Sequence, residues 1–228
     1  PRRLRPTDVC TTQDGYAICD SGHHRISMLS FAGSRVTPLA GCGKMGFLDG
    51  PAAEARFHSQ HGICQGPRGA LIIADTGNHV VRMLSNGVVS TIAGRAGLAG
   101  SVDGPAHQAL LSSPLRVAMA RNGSLLIADG SGGIRVMHGD WSYLETLVPP
   151  SGAGEEKHCD GPLDRARMST CDGICVSAEG SVLIADSLNH CLRVMDPQLM
   201  TLTTLAGKHG EWGAADGAAD ACRMNRPC

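Results

Sequence analysis

Apolar residues fall in short bursts along this chain, with turn-forming residues between them. In the stretch 62–94 the bursts occupy 62–65, 70–74, 80–84 and 88–93. Gly66-Pro67-Arg68-Gly69, then Asp75 to Asn78, then Asn86-Gly87 separate them. Asn-Gly is a strong hairpin signal, because both residues accept the positive φ that a type I′ turn requires. Bursts this short, rich in Val and Ile and bounded by Gly, Pro and Asn, predict β-strands; no helical period of comparable strength accompanies them. The unit is expected to be four antiparallel strands joined by tight turns.

The same unit recurs. Apolar stretches close on Asp20, Asp75, Asp129 and Asp186, in steps of 55, 54 and 57 residues. A turn and a strand follow each of them. Asp-Gly pairs come later in each unit, beginning at Asp49, Asp103, Asp160 and Asp216, in steps of 54, 57 and 56. Landmarks kept in register this way define an internal repeat, and four strands per unit at this period predict an all-β fold of propeller blades. The blades are placed at 4–57, 58–111, 112–168 and 169–224 within one domain, 1–228. Met224-Asn225-Arg226-Pro227 aligns with Leu111-Ser112-Ser113-Pro114, so residues 225–228 read as the start of a further blade and the chain as a piece of a longer one.

Asp75-Thr76-Gly77-Asn78-His79, a strand carrying Arg82, and then Thr91-Ile92-Ala93-Gly94 resemble the NHL repeat. Asp186-Ser187-Leu188-Asn189-His190-Cys191-Leu192-Arg193 with Leu205-Ala206-Gly207 is similar to it in the same way. The first unit, Asp20-Ser21-Gly22-His23-His24, has His23 where that repeat has Asn. The third, Asp129-Gly130-Ser131-Gly132-Gly133-Ile134, is one residue shorter and lacks the Asn-His pair. The resemblance covers essentially the whole chain and implies a six-bladed ring, of which four full repeats are visible. It implies little about activity, since propellers host many unrelated functions.

Composition adjusts this picture only slightly. Aromatics are 3% of the chain and Gly accounts for 30 residues, so small and β-branched side chains must fill the core. Twenty basic and 21 acidic residues give a formal charge of −1, which offers nucleic acid no global attraction. Arg2, Arg3, Arg5, Arg116, Arg223 and Arg226 are the cations that could gather into a local basic patch for RNA, the second functional reading. The ten cysteines include no Cys-x-x-Cys pair. Cys10, Cys64 and Cys175 share one repeat position with Ala118, and Cys19 and Cys191 stand where other units have Ala or Val. They read as small apolar fillers in a reducing, cytoplasmic setting rather than a disulfide framework.

Several recurrent polar residues invite chemistry. His24, His79 and His190 share a repeat position, but equivalent positions on neighbouring blades lie on the order of 10 Å apart, too far to share one zinc ion. We read Asp20, Asp75, Asp129 and Asp186, with Asn78 and Asn189, as caps of the turn between the second and third strands, with His24, His79 and His190 packed beside them. Asp49, Asp103, Asp160 and Asp216 are read as caps of one short helical turn each, with Pro in its first turn. Related propellers that are lyases or lactonases carry metal ligands on the innermost strands. Those strands here are mostly apolar, with only Asp8, His61 and Asp172 near their starts, and metal-dependent catalysis is the third reading. No nucleophile elbow, phosphate-binding loop or His-Glu-x-x-His motif occurs, so no enzyme activity, cofactor or metal is expected.

Where the repeat breaks, a partner is the better explanation. Trp141 and Tyr143 fall in the irregular third unit, and Trp212 in the loop before Asp216. Aromatic side chains bury large areas with few rotatable bonds and anchor interfaces well. The sequence reading is therefore a non-catalytic scaffold that offers a loop-rich face to a protein partner.

Overall fold

The computed structural model describes residues 4–33, 35–151, 156–196, 198 and 200–228. They form four antiparallel sheets. The first contains β1 (Pro6–Thr11), β2 (Gly15–Asp20), β3 (Arg25–Ser30) and β4 (Val36–Ala40), in sequence order. The second contains β5 (Gly50–Pro51), β6 (Gly62–Gln65), β7 (Leu71–Asp75), β8 (Val80–Ser85) and β9 (Val88–Gly94). The third contains β10 (Gly104–Pro105), β11 (Arg116–Met119), β12 (Leu125–Ala128), β13 (Ile134–Met137) and β14 (Tyr143–Val148). The fourth contains β15 (Gly161–Pro162), β16 (Cys171–Val176), β17 (Val182–Asp186), β18 (Cys191–Asp196) and β19 (Thr201–Gly207).

The short first strands of the last three sheets are an addition to the sequence reading. Each Gly-Pro pair crosses to the outer edge of the next sheet, so β5 pairs with β9, β10 with β14 and β15 with β19. Gly50, Gly104 and Gly161 make that crossing at φ values of 125°, 150° and 138°, which side-chain-bearing residues rarely adopt. The single helical turn expected after each Asp-Gly is present: Ala55 N donates to Pro51 O at 3.0 Å and Ala109 N to Pro105 O at 2.9 Å.

The core is divided among the gaps between sheets. Phe57, Leu111 and Met168 occupy the same repeat position, and each is fully buried in a different gap, between sheets one and two, two and three, and three and four. Burying a side chain of this size is worth about 2–3 kcal/mol. The inner strands β1, β6, β11 and β16 face a common central cavity of about 720 Å³. Antiparallel sheets packed radially around a cavity are a four-blade propeller arrangement. No helix among the described residues is long and apolar enough to cross a membrane.

Candidate functional site

Asp20, Asp75 and Asp186 do not cap the turns that follow them, whereas Asp129 takes a hydrogen bond from the Ser131 amide within its turn. None of the turns at Ser21–His23, Thr76–Asn78 or Ser187–Asn189 receives a side-chain cap. Asp75 instead turns both oxygens inward: Oδ1 accepts from His58 N at 2.8 Å, and Oδ2 from Asn78 Nδ2 at 2.8 Å and Arg82 Nη1 at 2.7 Å. Asp186 repeats the design with Ser169 N, Asn189 Nδ2 and Arg193 Nη1. Asp20 and Asp129 likewise accept from the amides of Arg5 and Ser112.

The Asp-Gly aspartates depart from expectation in the same way. Asp49 Oδ1 accepts from Arg82 Nε and Nη2, and Oδ2 from Thr91 N, so the carboxylate faces the sheet and not the helical turn that follows it. Asp103 binds Arg135 and Thr146, and Asp160 binds Arg193 and Thr204. Arg82, Arg135 and Arg193 are therefore fully buried cations, each clamped between two carboxylates and two backbone carbonyls from the preceding strap. Arg82 also lies over the rings of Phe47 and Phe57, at 4.7 and 5.2 Å. Burial raises the Asp75 carboxyl's pKa against the opposing pull of Asn78, the His58 amide and Arg82. Asp160, half exposed, is held below the usual carboxylate range by the Thr204 amide and Arg193, despite some desolvation. Asp216 has the same place in the fourth repeat, and Gly217 the same positive φ, 156°.

The first sheet has no such clamp. Ser27 stands where the other sheets have Arg, and its buried hydroxyl has no partner. Pro38, which has no N–H, stands where Thr91, Thr146 and Thr204 each donate one. Both halves of the aspartate receptor are thus replaced together.

Asn78 and the histidines join neighbouring blades. Asn78 Nδ2 also donates to Gly46 O, and Asn189 Nδ2 to Lys157 O. His24, His79 and His190 are left-handed, at φ 51°, 60° and 59°. Their Nδ1 atoms accept from Ser59 N, Ser113 N and Arg226 N at 3.3, 3.0 and 3.2 Å. The third unit has no histidine there, so the seam between the third and fourth sheets lacks this hydrogen bond. His79→Ala should cost about 1 kcal/mol in urea unfolding. It should also speed hydrogen exchange at the Ser113 amide while leaving the Asn86-Gly87 hairpin amides unchanged.

Of the three polar residues expected on the inner strands or near them, Asp8 and Asp172 line the central cavity and His61 does not. Asp8 Oδ2 accepts from Ile63 N at 2.9 Å, and Arg116 Nε donates to the Asp172 carbonyl at 2.8 Å. Burial, helped by Arg116, lowers the pKa of His61. Among the described residues no three His, Cys, Asp or Glu side chains converge as a metal site. All ten cysteines are free thiols; burial pushes Cys10 up to about 11 and Cys171 up to about 12.

The aromatic candidates are not brought together. Trp141 packs against the core between the second and third sheets and donates Nε1–H to Gly123 O at 3.0 Å. Tyr143, 51% exposed, begins β14 at the hairpin end of the third blade, where Met137 pairs with Leu144. The Asp129 turn lies at the other end of that blade, where Ile134 pairs with Val148. Trp212 follows Gly207, the partner of Cys191 beside the His190 turn, and so belongs to the turn face, with 71% of its surface exposed. Of the arginines considered for a basic patch, Arg2 and Arg3 lie outside the described residues. Arg116 lines the cavity, and Arg223 pairs with Glu211 through Nε at 2.8 Å.

No family model matches the chain. An 80-residue stretch is 36% identical to Protein SUPPRESSOR OF QUENCHING 1, chloroplastic, of Arabidopsis thaliana, covering 35% of this chain and 8% of that one. Over 215 residues the chain is 27% identical to NHL repeat-containing protein 2 of Bos taurus, covering 85% of this chain and 28% of the relative. The chain thus spans less than a third of either curated relative. Among solved structures it is similar to an auxiliary nutrient binding protein from Bacteroides thetaiotaomicron (TM-score 0.70, 17% identity, 96% of this chain and 52% of that one). It is also similar to virginiamycin B lyase from Staphylococcus aureus (TM-score 0.58, 12% identity, 90% and 56%). At these identities the likeness is one of fold: the chain has a β-propeller architecture, and neighbours of that architecture include both binding proteins and enzymes.

Proposed function

We propose that the chain is an array of NHL-type blades, part of a six-bladed ring, whose Asp-Asn-His face is a platform for a protein partner in a reducing, cytoplasmic setting. One observation carries this reading. The straps on that face turn their polar groups inward and their apolar side chains outward. Met45 and Trp212 hold the same place in their straps, four residues before Asp49 and Asp216, and are 61% and 71% exposed. Phe47 and Leu48 beside Met45, and Leu98 and Val102 on the next strap, are 42–51% exposed. Met and aromatic side chains are enriched at protein interfaces, and apolar side chains raised on rigid loops lose little entropy on docking. The likeness to NHL repeat-containing protein 2 supports the repeat type.

The test is a paired substitution, Met45→Ser with Trp212→Ser. It should leave the melting temperature within a degree or two, since neither side chain is buried, and abolish recovery of a stoichiometric protein partner. Unchanged recovery refutes the assignment of the face. Salt-sensitive retention of RNA by the same face would replace the protein partner with phosphate recognition.

A further inference from the structure

At the opposite end of the third blade, three polar side chains from three adjacent strands form a continuous relay. Ser124 Oγ lies 2.9 Å from His138 Nδ1, and His138 Nε2 lies 3.0 Å from Glu145 Oε1. The register explains the meeting. Leu125 pairs with Met137, so Ser124 stands opposite His138; Glu145 pairs with Val136, two residues before His138, so all three side chains share one face of the sheet. One tautomer satisfies both contacts: Nε2 carries the proton and donates it to Glu145, while Nδ1 accepts from the serine hydroxyl.

Blade architecture does not need this set. In the second blade the equivalent positions hold Ala70, Ser85 and Ser90, in the fourth Ser181, Asp196 and Thr203, and in the first Gly15, Ser30 and Thr37. Only the irregular third blade combines a hydroxyl, an imidazole and a carboxylate. Ser124 is 4% exposed, yet it lines a groove of about 340 Å³ between the third and fourth sheets. Leu126, Leu147, Leu163, Met195 and Met200 furnish its apolar wall. The hydroxyl is thus met from an apolar groove and the carboxylate, 49% exposed, from water.

We propose that Ser124, His138 and Glu145 form a serine-hydrolase site for carboxylic esters with a short apolar acyl chain. His138 Nδ1 takes the hydroxyl proton as Ser124 Oγ bonds to the ester carbonyl carbon. The carbonyl π pair moves to its oxygen, and Arg121 and Asn122, which line the groove beside the serine, offer N–H donors to that oxyanion. Collapse breaks the bond to the alkoxy group, which leaves as alcohol with the proton from His138, and Ser124 keeps the acyl group. Water, deprotonated by His138, then attacks the acyl carbon; the carboxylic acid departs and the serine recovers its proton. The ring is turned so that Nδ1, not Nε2, serves the nucleophile. Glu145 touches no substrate and is a positioning residue. The site lies on the face away from the straps and does not depend on the partner reading.

The test uses 4-nitrophenyl butyrate and a fluorophosphonate probe on the chain as described. Hydrolysis above background and a phosphonyl adduct on the peptide containing Ser124 are expected. Ser124→Ala and His138→Ser install the residues the second blade uses, so the fold should persist, which a thermal melt checks. Each should lower kcat/KM by about a hundredfold or more. Glu145→Gln should lower kcat with KM unchanged, and Glu145→Asp should restore part of it. No adduct and no hydrolysis by the wild type, or hydrolysis that survives Ser124→Ala, overturns the proposal.

Discussion

Arg82→Met should lower the free energy of unfolding by about 3–5 kcal/mol, the usual cost of stripping one partner from a buried ion pair. For a chain of this length that is a fall in melting temperature of roughly 6–20 °C. What stays behind sets the cost. Asp75 is fully buried, and without the guanidinium it keeps only the His58 amide and Asn78 against its desolvation. Asp49, 39% exposed, can turn to water and loses less. The carbonyls of Leu48 and Arg56 also lose the guanidinium and keep only each other's amide as donor, so the strap itself should loosen. Two further results discriminate. Adding Asp75→Asn to Arg82→Met should recover part of the loss, because the uncompensated charge is gone. The deficit of the single variant should also shrink in acid, where Asp75 can protonate. Equal deficits across pH, measured by urea unfolding, would show that lost packing dominates and not the buried charge.

The clamps show where sequence reasoning reached and where it stopped. The strand positions were legible: 62–65, 70–74, 80–84 and 88–93 were expected, and Gly62–Gln65, Leu71–Asp75, Val80–Ser85 and Val88–Gly94 are found. Short apolar bursts and Asn-Gly chemistry are local, so they survive without knowledge of the fold. The aspartates' importance was legible from their period, but their partners were not. Asp49 and Arg82 are 33 residues apart, and only the crossing of Gly50–Pro51 to β9 brings them into contact. A signal was available: Arg82, Arg135 and Arg193 recur inside apolar strands, and a cation there requires buried carboxylates. The Ser124, His138 and Glu145 set lacked even that, because a feature that occurs once has no period. Cross-strand register alone assembles it. Trp141 was grouped with Trp212 because both break the repeat, yet the hairpin register sends them to opposite ends of the molecule.

The third blade's clamp is the weakest of the three, and its pH response should expose it. Asp129 Oδ2 lies 3.5 Å from Arg135 Nη1, against 2.7 and 2.9 Å in the second and fourth blades. Gly132 and Gly133 fill the shortened turn, so no Asn side chain reaches the carboxylate, and the buried Oδ2, like Arg135 Nε, accepts or donates no hydrogen bond. Burial therefore pushes the Asp129 carboxyl up to about 6, only partly opposed by the Ser112 amide and Arg135. In the unfolded chain it titrates near 3.8. Between those values the folded chain holds a proton that the unfolded chain releases, so this group adds stability as pH falls from 6 to 4. Equivalently, its ionised form costs up to about 3 kcal/mol at neutral pH. His24, His61 and His158, whose pKa values burial lowers, act in the opposite direction below their usual range. The difference between wild type and Asp129→Asn isolates the carboxyl from them. Urea unfolding at pH 4.5, 5.5 and 7 should show the wild type gaining on the variant as the solution is acidified; parallel curves would refute the perturbed carboxyl. Replacing residues 130–133 with Thr-Gly-Asn-His-Val, the sequence of 76–80, supplies the missing Asn to the carboxylate and the missing His to the seam with the fourth sheet. That graft should raise stability at pH 7 by about 1–2 kcal/mol, for two new hydrogen bonds to buried groups, and flatten the slope between pH 4 and 6.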